Sequence, residues 1–166
     1  MKIFNMNKEQ KALLERYNRL LVERNKVMNL TAHKTEAESF LYNVHDSLLF
    51  GDIFNTIKKV KVLDLGSGGG CPAIPLKIAF PHIDITMLDS VGKKTGFLND
   101  TISALELGEI RAVHQRAEEY ATKNREKFDF VTAKAVAELP TLLEYALPLL
   151  KVGGRLLAYK GSHVRM

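Results

Sequence analysis

The stretch VLDLGSGGGCPAIPL, residues 62–76, decides the fold of this chain. A short apolar run ends at Asp64 and Leu65, and the next five residues are all glycine or serine. Glycine allows the backbone to take positive φ and to approach a ligand closely, because no Cβ intervenes. The helix that follows such a loop points its free N–H groups toward the ligand. The stretch therefore predicts a ligand-binding strand–loop–helix turn.

The composition describes an ordinary globular protein. The chain has 166 residues, of which 46% are hydrophobic and 26% charged, and this suits one domain with a real core. No apolar run approaches the roughly 20 residues of a membrane helix, and the N-terminus lacks a signal-peptide pattern. A single cysteine, Cys71, excludes an internal disulfide, and the five histidines have no metal-ligand spacing. We therefore expect a cytoplasmic protein with no metal and no membrane partner.

The net charge is +5, with an isoelectric point near 9.3. This charge is compatible with a nucleic-acid partner, but scattered basic residues also suit a solvated surface. Composition alone leaves both interpretations open, and the oligomeric state is not predicted.

Capping signals predict helices in the first third of the chain. Asn7 with Gln10 has the spacing of a capping box, and apolar residues follow at helical intervals. Thr35 with Glu38 repeats the capping spacing and starts a second helix. Gly51 is expected to end that second helix.

Strands alternate with helices in the rest of the chain, which predicts a mostly parallel sheet flanked by helices, a Rossmann-like α/β fold. We expect one domain over residues 1–166, with an N-terminal helical part at 1–57 and an α/β core at 58–166. The chain is expected to stop after the fifth strand, with GSHVRM, residues 161–166, showing no pattern. The predicted strands are 60–65, 83–89, 110–115, 127–135 and 155–160. The predicted helices are 75–80, 93–107, 139–150 and, as a short helix or loop, 117–125, with a turn at Gly153–Gly154.

Two ligand classes compete for the glycine loop. Gly68, Gly70 and Ala73 fit the dinucleotide pattern G-x-G-x-x-G/A. Asp64, Gly66, Gly68 and Gly70 fit D-x-G-x-G-x-G, the pattern of S-adenosylmethionine-dependent methyltransferases. A carboxylate at the end of the first strand suits a cationic aminoacyl sulfonium and is badly placed beside a pyrophosphate. The loop therefore favours S-adenosylmethionine, and an NAD-type oxidoreductase stays as the alternative.

Asp89 is predicted to end the second strand, about 20 residues beyond the glycine loop. An acid at this position accepts hydrogen bonds from ribose hydroxyls in nucleoside-binding α/β folds. This spacing serves both ligand classes, so it indicates a nucleoside without choosing between them. Capping the following helix is the structural alternative for Asp89.

Several segments together resemble the GidB type of bacterial 16S rRNA (guanine-N7) methyltransferases, also called ribosomal RNA small subunit methyltransferase G. The similarity runs from about Leu14 to Gly161 and implies a class I methyltransferase fold. The family usually continues beyond the fifth strand, so a fragment or a shortened relative is expected. The segments are NLT (29–31), DSL (46–48), the glycine motif (62–78), LDSVGKKTGFL (88–98), RAEE (116–119) and VTAKAVAEL (131–139).

The resemblance also implies a reaction and partners. The cofactor would be S-adenosyl-L-methionine, with S-adenosyl-L-homocysteine as product, and the acceptor would be nitrogen-7 of a guanine in 16S rRNA (position 527, in the 530 loop). The partner would be 16S rRNA, the small ribosomal subunit or its assembly intermediate. Because N7 carries a free lone pair, no general base is assigned and the catalytic residues stay unknown. A cofactor-binding fragment without activity is the alternative.

By the same resemblance, further residues become candidates for cofactor binding. The turn at Gly66 would meet the methionine part, and Cys71 would line the pocket. Ala117 and Glu118 would meet the adenine. Lys134 stands where the family usually has arginine, and it keeps the charge without the bidentate fork.

Overall fold

Five parallel strands form the centre of the computed structural model, which describes residues 5–159. Their order across the sheet is β3-β2-β1-β4-β5, so the direction of chain progression reverses between β1 and β4. Ligands of open parallel sheets bind beyond the strands' carboxyl ends at such a reversal. The predicted Rossmann-like fold is confirmed. The strands are β1 (Lys61–Leu65), β2 (Asp84–Asp89), β3 (Ile110–His114), β4 (Phe128–Lys134) and β5 (Leu150–Tyr159).

Helices cover both faces of this sheet and form two apolar cores. The first core joins one face to α1, α3, α4 and α5, and Tyr17, Phe54 and Ile74 are among its fully buried side chains. The second core joins the other face to α6 and α7, through Ala121 and Leu142. The helices are α1 (Lys8–Asn25), α2 (Glu36–Ser39), α3 (Gly51–Asn55), α4 (Ala73–Ala79), α5 (Gly92–Ala104), α6 (Ala117–Lys123) and α7 (Leu139–Ala146). A π-helical segment, Phe40–His45, continues α2.

Both predicted caps are present. The Asn7 side chain accepts from the Gln10 backbone N–H at 2.8 Å, and the Gln10 side chain accepts from the Asn7 N–H at 3.0 Å. The Thr35 hydroxyl accepts from the Glu38 N–H at 3.2 Å. Local sequence signals therefore locate the starts of α1 and α2 correctly.

Two predictions that rest on glycines are wrong. Gly51 begins α3 and does not end the preceding helix. The residues Gly153–Gly154 lie inside β5, where Gly153 has φ +80° and the pairing with β4 shifts register between Phe128 and Phe130. The glycines thus form an irregularity within a strand and not a turn before it. The stretch GSHVRM lies outside the described residues.

The boundary between α7 and β5 also differs from the prediction. Helix α7 ends at Ala146, because Pro148 lacks the N–H that would continue the helix. Backbone N–H groups of Lys127 and Phe128 donate instead to the Leu149 carbonyl at 3.1 and 3.0 Å. Pairing with the start of β4 therefore recruits residues that have a helical pattern in the sequence.

Side-chain hydrogen bonds fasten helix α1 to the glycine loop and to the end of α4. The Tyr17 hydroxyl is fully buried and donates to the Gly69 carbonyl at 2.7 Å. The Gln10 side-chain amide donates to the carbonyls of Ile78 and Ala79 at 3.0 and 3.2 Å. The first helix thus supports the loop that the sequence identifies as the ligand contact.

Replacing Tyr17 tests this support. The Tyr17→Phe variant keeps the ring in the core but leaves the buried Gly69 carbonyl without its donor. The free energy of unfolding should fall by about 1–2 kcal/mol, measured by urea denaturation. Tyr42→Phe is the matched control, because Tyr42 is half exposed, and it should change stability by less than about 0.5 kcal/mol. Equal effects of the two substitutions would contradict this role of Tyr17.

Candidate functional site

Asp64 is the most unusual group at the carboxyl edge of the sheet. Its side chain is fully buried at the end of β1, and Oδ1 accepts from the Thr132 hydroxyl at 2.7 Å. Oδ2 is also buried and has no hydrogen-bond partner within residues 5–159. Buried polar atoms are nearly always paired, so this oxygen marks the place of a missing donor.

Burial also changes the charge state of this carboxyl. Desolvation raises the pKa of Asp64 to about 7, and the Asp89 carboxylate adds to the increase. The hydrogen bond from Thr132, the nearby Ser67 hydroxyl, which donates to the Asp64 backbone carbonyl at 3.1 Å, and the charge of Lys134 oppose it. A cationic donor placed against Oδ2 would favour the ionised form.

Asp89 ends β2 as predicted and joins three elements. Its two carboxylate oxygens accept from the backbone N–H groups of Gly68 and Val91, each at 2.9 Å. Its own carbonyl accepts from the Gln115 N–H at 3.1 Å. The side chain does not cap α5, because the cap position is Val91 and lacks a side-chain hydrogen bond. The carboxylate therefore fixes the glycine loop against the end of β2.

The three glycines of the motif all have positive φ but different surroundings. Their φ angles are +61° at Gly66, +53° at Gly68 and +98° at Gly70. A Cβ on Gly70 would lie 2.6 Å from the Ile74 Cδ1, inside the core. A Cβ on Gly68 would meet nothing closer than a backbone oxygen at 3.9 Å. Gly70 is thus required for packing, while Gly68 faces open space.

Four predicted residues line one cleft of about 200 Å³: Gly66, Asp89, Ala117 and Glu118. Tyr145 of α7 lies in the same cleft and was not predicted. Its interaction with the Glu118 carboxylate raises the pKa of the Tyr145 hydroxyl. The cleft combines apolar residues with the carboxylates of Asp89 and Glu118, which suits a nucleoside.

Cys71 lies outside that cleft, beside α1. Its sulfur is 3.0 Å from the Tyr17 hydroxyl oxygen. Burial raises the pKa of the Cys71 thiol, so the reactive thiolate is disfavoured. The surroundings of Cys71 fit a side chain that packs against the core and not a nucleophile.

Lys134 extends from the end of β4 to the N-terminal helices. Its ammonium donates to the Tyr42 carbonyl at 2.6 Å and lies 3.0 Å from an Asp46 carboxylate oxygen. The charge of Lys134 offsets part of the increase in the pKa values of both Asp64 and Cys71, so the three groups form one electrostatic cluster. The sequence did not predict roles for Tyr42 and Asp46, because neither belongs to a motif that points to Lys134.

The predicted residues thus fall into two adjoining groups. Gly66, Asp89, Ala117 and Glu118 line the cleft, whereas Asp64, Cys71 and Lys134 are not among its lining residues and interact electrostatically with one another. The residues that sequence reasoning missed are supports: Tyr17, Ser67, Thr132, Asp46, Tyr42 and Tyr145. Thr132 had one available signal, since it lies within VTAKAVAEL two residues before Lys134.

Neither a membrane-spanning helix nor a metal-binding cluster of side chains occurs within residues 5–159. None of the helices there has the length and apolar character needed to cross a membrane. No cluster of three or more His, Cys, Asp or Glu side chains there could hold a metal ion.

Comparison with known proteins identifies relatives of this chain. The family model for rRNA small subunit methyltransferase G (GidB) matches residues 10–166. The ribosomal RNA small subunit methyltransferase G of an Exiguobacterium strain is 44% identical over 163 residues, covering 97% of this chain and 68% of that protein. The protein of the same name from Staphylococcus carnosus is 41% identical over 160 residues, covering 95% and 67%. The chain spans about two thirds of the length of these relatives.

Solved structures match the fold at low sequence identity. A Methanococcus maripaludis protein aligns with a TM-score of 0.61 and 18% identity, covering 97% of this chain and 68% of that one. A SAM-dependent methyltransferase from Thiobacillus denitrificans in complex with S-adenosyl-L-homocysteine aligns with a TM-score of 0.58 and 22% identity, covering 69% and 47%. At these identities the matches establish the Rossmann-like fold.

The pKa of Asp64 predicts a pH dependence of stability. The folded protein keeps the Asp64 proton up to about pH 7, whereas the unfolded chain loses it near pH 4. Because the folded state binds more protons between these values, the free energy of unfolding should fall as pH rises through this window. The contribution is on the order of a few kcal/mol, measured by urea denaturation at a series of pH values.

The Asp64→Asn variant should lose this pH-dependent contribution, since its side chain does not titrate. Asp100→Asn is the control, because the Asp100 side chain is 70% exposed, and it should retain the wild-type pH profile. Parallel pH profiles of wild type and Asp64→Asn would show that Asp64 titrates normally.

The motif glycines should differ in their tolerance of alanine. Gly68→Ala should cost about 1–2 kcal/mol, from the left-handed backbone alone. Gly70→Ala should cost more, because the new Cβ must also displace Ile74. Gly96→Ala within α5 is the control, since nothing lies within 4 Å of its Cβ position, and it should stabilise the helix. Thermal unfolding of the three variants measures this ranking, which equal losses at Gly68 and Gly70 would refute.

Proposed function

The chain belongs to the rRNA small subunit methyltransferase G (GidB) family, and we propose that it transfers a methyl group from S-adenosyl-L-methionine to nitrogen-7 of a guanine in 16S rRNA. The acceptor would be presented by the small ribosomal subunit or its assembly intermediate, in the cytoplasm. The position proposed for the guanine is 527, in the 530 loop, as in the family that the sequence resembles.

The observation that carries the cofactor assignment is the unpaired Oδ2 of Asp64. The α-ammonium of S-adenosylmethionine is a cationic donor, and it would satisfy this buried oxygen. The glycine loop lies next to Asp64 along the chain, and Gly68 leaves open space beside its backbone. When bound, the cofactor supplies an electrophilic methyl group on a sulfonium.

Residues of the cleft would hold the nucleoside part. The Asp89 carboxylate uses one acceptor site on each oxygen for backbone N–H groups, and further lone pairs remain for the two ribose hydroxyls. Ala117 and Glu118, at the start of α6, would contact the adenine. Tyr145 and Val136 also line this cleft.

The chain's role in the transfer itself would be to position the reactants. Guanine N7 has a free lone pair and no proton at neutral pH, so it attacks without a general base. The protein must hold the nitrogen, the methyl carbon and the sulfur nearly in line, and such orientation contributes a large part of a bimolecular barrier. Lys134 is held by Tyr42 and Asp46 and would keep its charge away from the positive purine product.

The Asp64 carboxylate disfavours a dinucleotide in this site. A pyrophosphate beside the loop would face Asp64, and its carboxylate would repel the phosphates. This repulsion and the family membership favour the methyltransferase over the oxidoreductase.

Methyl transfer to under-methylated 30S subunits tests the proposal. The chain is incubated with S-adenosylmethionine labelled in the methyl group, and the label should appear in 16S rRNA at N7 of a guanine. Asp89→Ala should weaken binding of S-adenosylhomocysteine, measured by calorimetry, by about 10-fold to 100-fold, because charged hydrogen bonds to ribose are lost. Asp100→Ala, an exposed carboxylate of α5, should bind like wild type.

The outcomes separate the possible errors. Binding of S-adenosylhomocysteine without label transfer would mean that this chain is a cofactor-binding fragment. Binding of NAD without S-adenosylhomocysteine would make the cofactor assignment wrong. Unchanged affinity in Asp89→Ala would remove the ribose role of Asp89 alone.

A further inference from the structure

Tyr42 is an exposed aromatic side chain at the edge of the site. Among the large hydrophobic side chains that are exposed within residues 5–159, it is the only aromatic one, with 52% of its surface accessible. One side of its ring is covered by His33, at a centroid distance of 4.7 Å and an interplanar angle of 20°. Tyr42 thus keeps half of its surface exposed although His33 stacks on its ring.

Hydrogen bonds join the loop that carries His33 to the π-helical segment that carries Tyr42. The His33 N–H donates to the Thr31 hydroxyl at 3.2 Å, and the Asn43 amide donates to the same hydroxyl at 3.0 Å. The Asn25 side chain also accepts from the Thr31 N–H at 3.0 Å. Because the loop that carries His33 and the π-helical segment that carries Tyr42 share these bonds, the backbone positions of both residues are held before any ligand arrives, and this lowers the entropy cost of binding.

The position of Tyr42 connects it to the reaction site. Its carbonyl accepts from the Lys134 ammonium at 2.6 Å, directly beyond the end of β4. Strand β4 pairs with β1, and Thr132 in β4 holds the Asp64 carboxylate at 2.7 Å. The stacked pair therefore lies beside the methionine end of the proposed cofactor site and not beside the adenine cleft.

We propose that the exposed part of the Tyr42–His33 pair is a stacking platform for an unpaired base of the RNA substrate. Proteins recognise single-stranded RNA by stacking its bases on aromatic side chains, with cations nearby for the phosphates. The exposed Lys34 follows His33 in the chain and supplies such a cation, whereas the Lys134 ammonium is paired with Asp46 and donates to the Tyr42 backbone carbonyl. The inference rests on the proposed function, because it assigns the surface through which that function's RNA substrate would dock.

A chemically specific experiment tests this platform. The probe is an RNA hairpin with 2-aminopurine in its single-stranded loop, because the fluorescence of this base is quenched when it stacks. Wild type should bind the hairpin and quench the base. Tyr42→Ala should bind it at least about fivefold more weakly and should not quench it. Tyr42→Trp should retain both binding and quenching.

The controls separate stacking from other effects. Leu49→Ala removes exposed apolar surface near Tyr42 in the chain but no ring, since Leu49 is 65% exposed, and it should bind RNA like wild type. All variants should bind S-adenosylhomocysteine with wild-type affinity, which also shows that they are folded. The inference is overturned if wild type does not bind the hairpin, or if Tyr42→Ala still binds and quenches it. The proposed function fails separately, if wild type does not bind S-adenosylhomocysteine.

Discussion

The structure around the site depends on a carboxylate that is buried with only one of its oxygens satisfied. Removing Asp64 from water costs free energy, and the protein offsets only part of this cost through the hydroxyls of Thr132 and Ser67. The raised pKa of Asp64 is the measure of what remains. A cationic ligand at Oδ2 would complete the pairing, so this buried carboxyl supports the proposed cofactor.

The fold could be predicted largely because its signals are local. The capping box at Asn7 and the side-chain cap at Thr35 each involve residues only three positions apart, and the helix and strand patterns repeat within one element. Gly153–Gly154 was misinterpreted because a glycine pair suits a turn and a strand irregularity equally well. Pairing of β5 with β4 decides between them, and that pairing depends on contacts distant in sequence.

The candidate site was predictable to the extent that residues follow the ends of strands. Asp64 lies one residue before the end of β1, and Asp89 and Lys134 end β2 and β4. Parallel strands bring their carboxyl ends to one edge of the sheet. No such rule predicts the residues that support these groups. Lys134 and Tyr42 are 92 positions apart, and the tie between them uses a backbone carbonyl that any residue could provide. Tyr145 likewise enters the cleft from α7, whose apolar pattern predicts packing alone.

The N-terminal helices give the two sides of Asp64 different surroundings. The cleft that contains Ala117 and Tyr145 lies beside α6 and α7, on one face of the sheet. Helix α1 and the π-helical segment pack against the opposite face, and Tyr42 belongs to that segment. An in-line transfer requires the acceptor to approach the methyl group from the side opposite the sulfur. Under the proposed function the acceptor would approach over the N-terminal helices, which would then belong to the site together with the glycine loop.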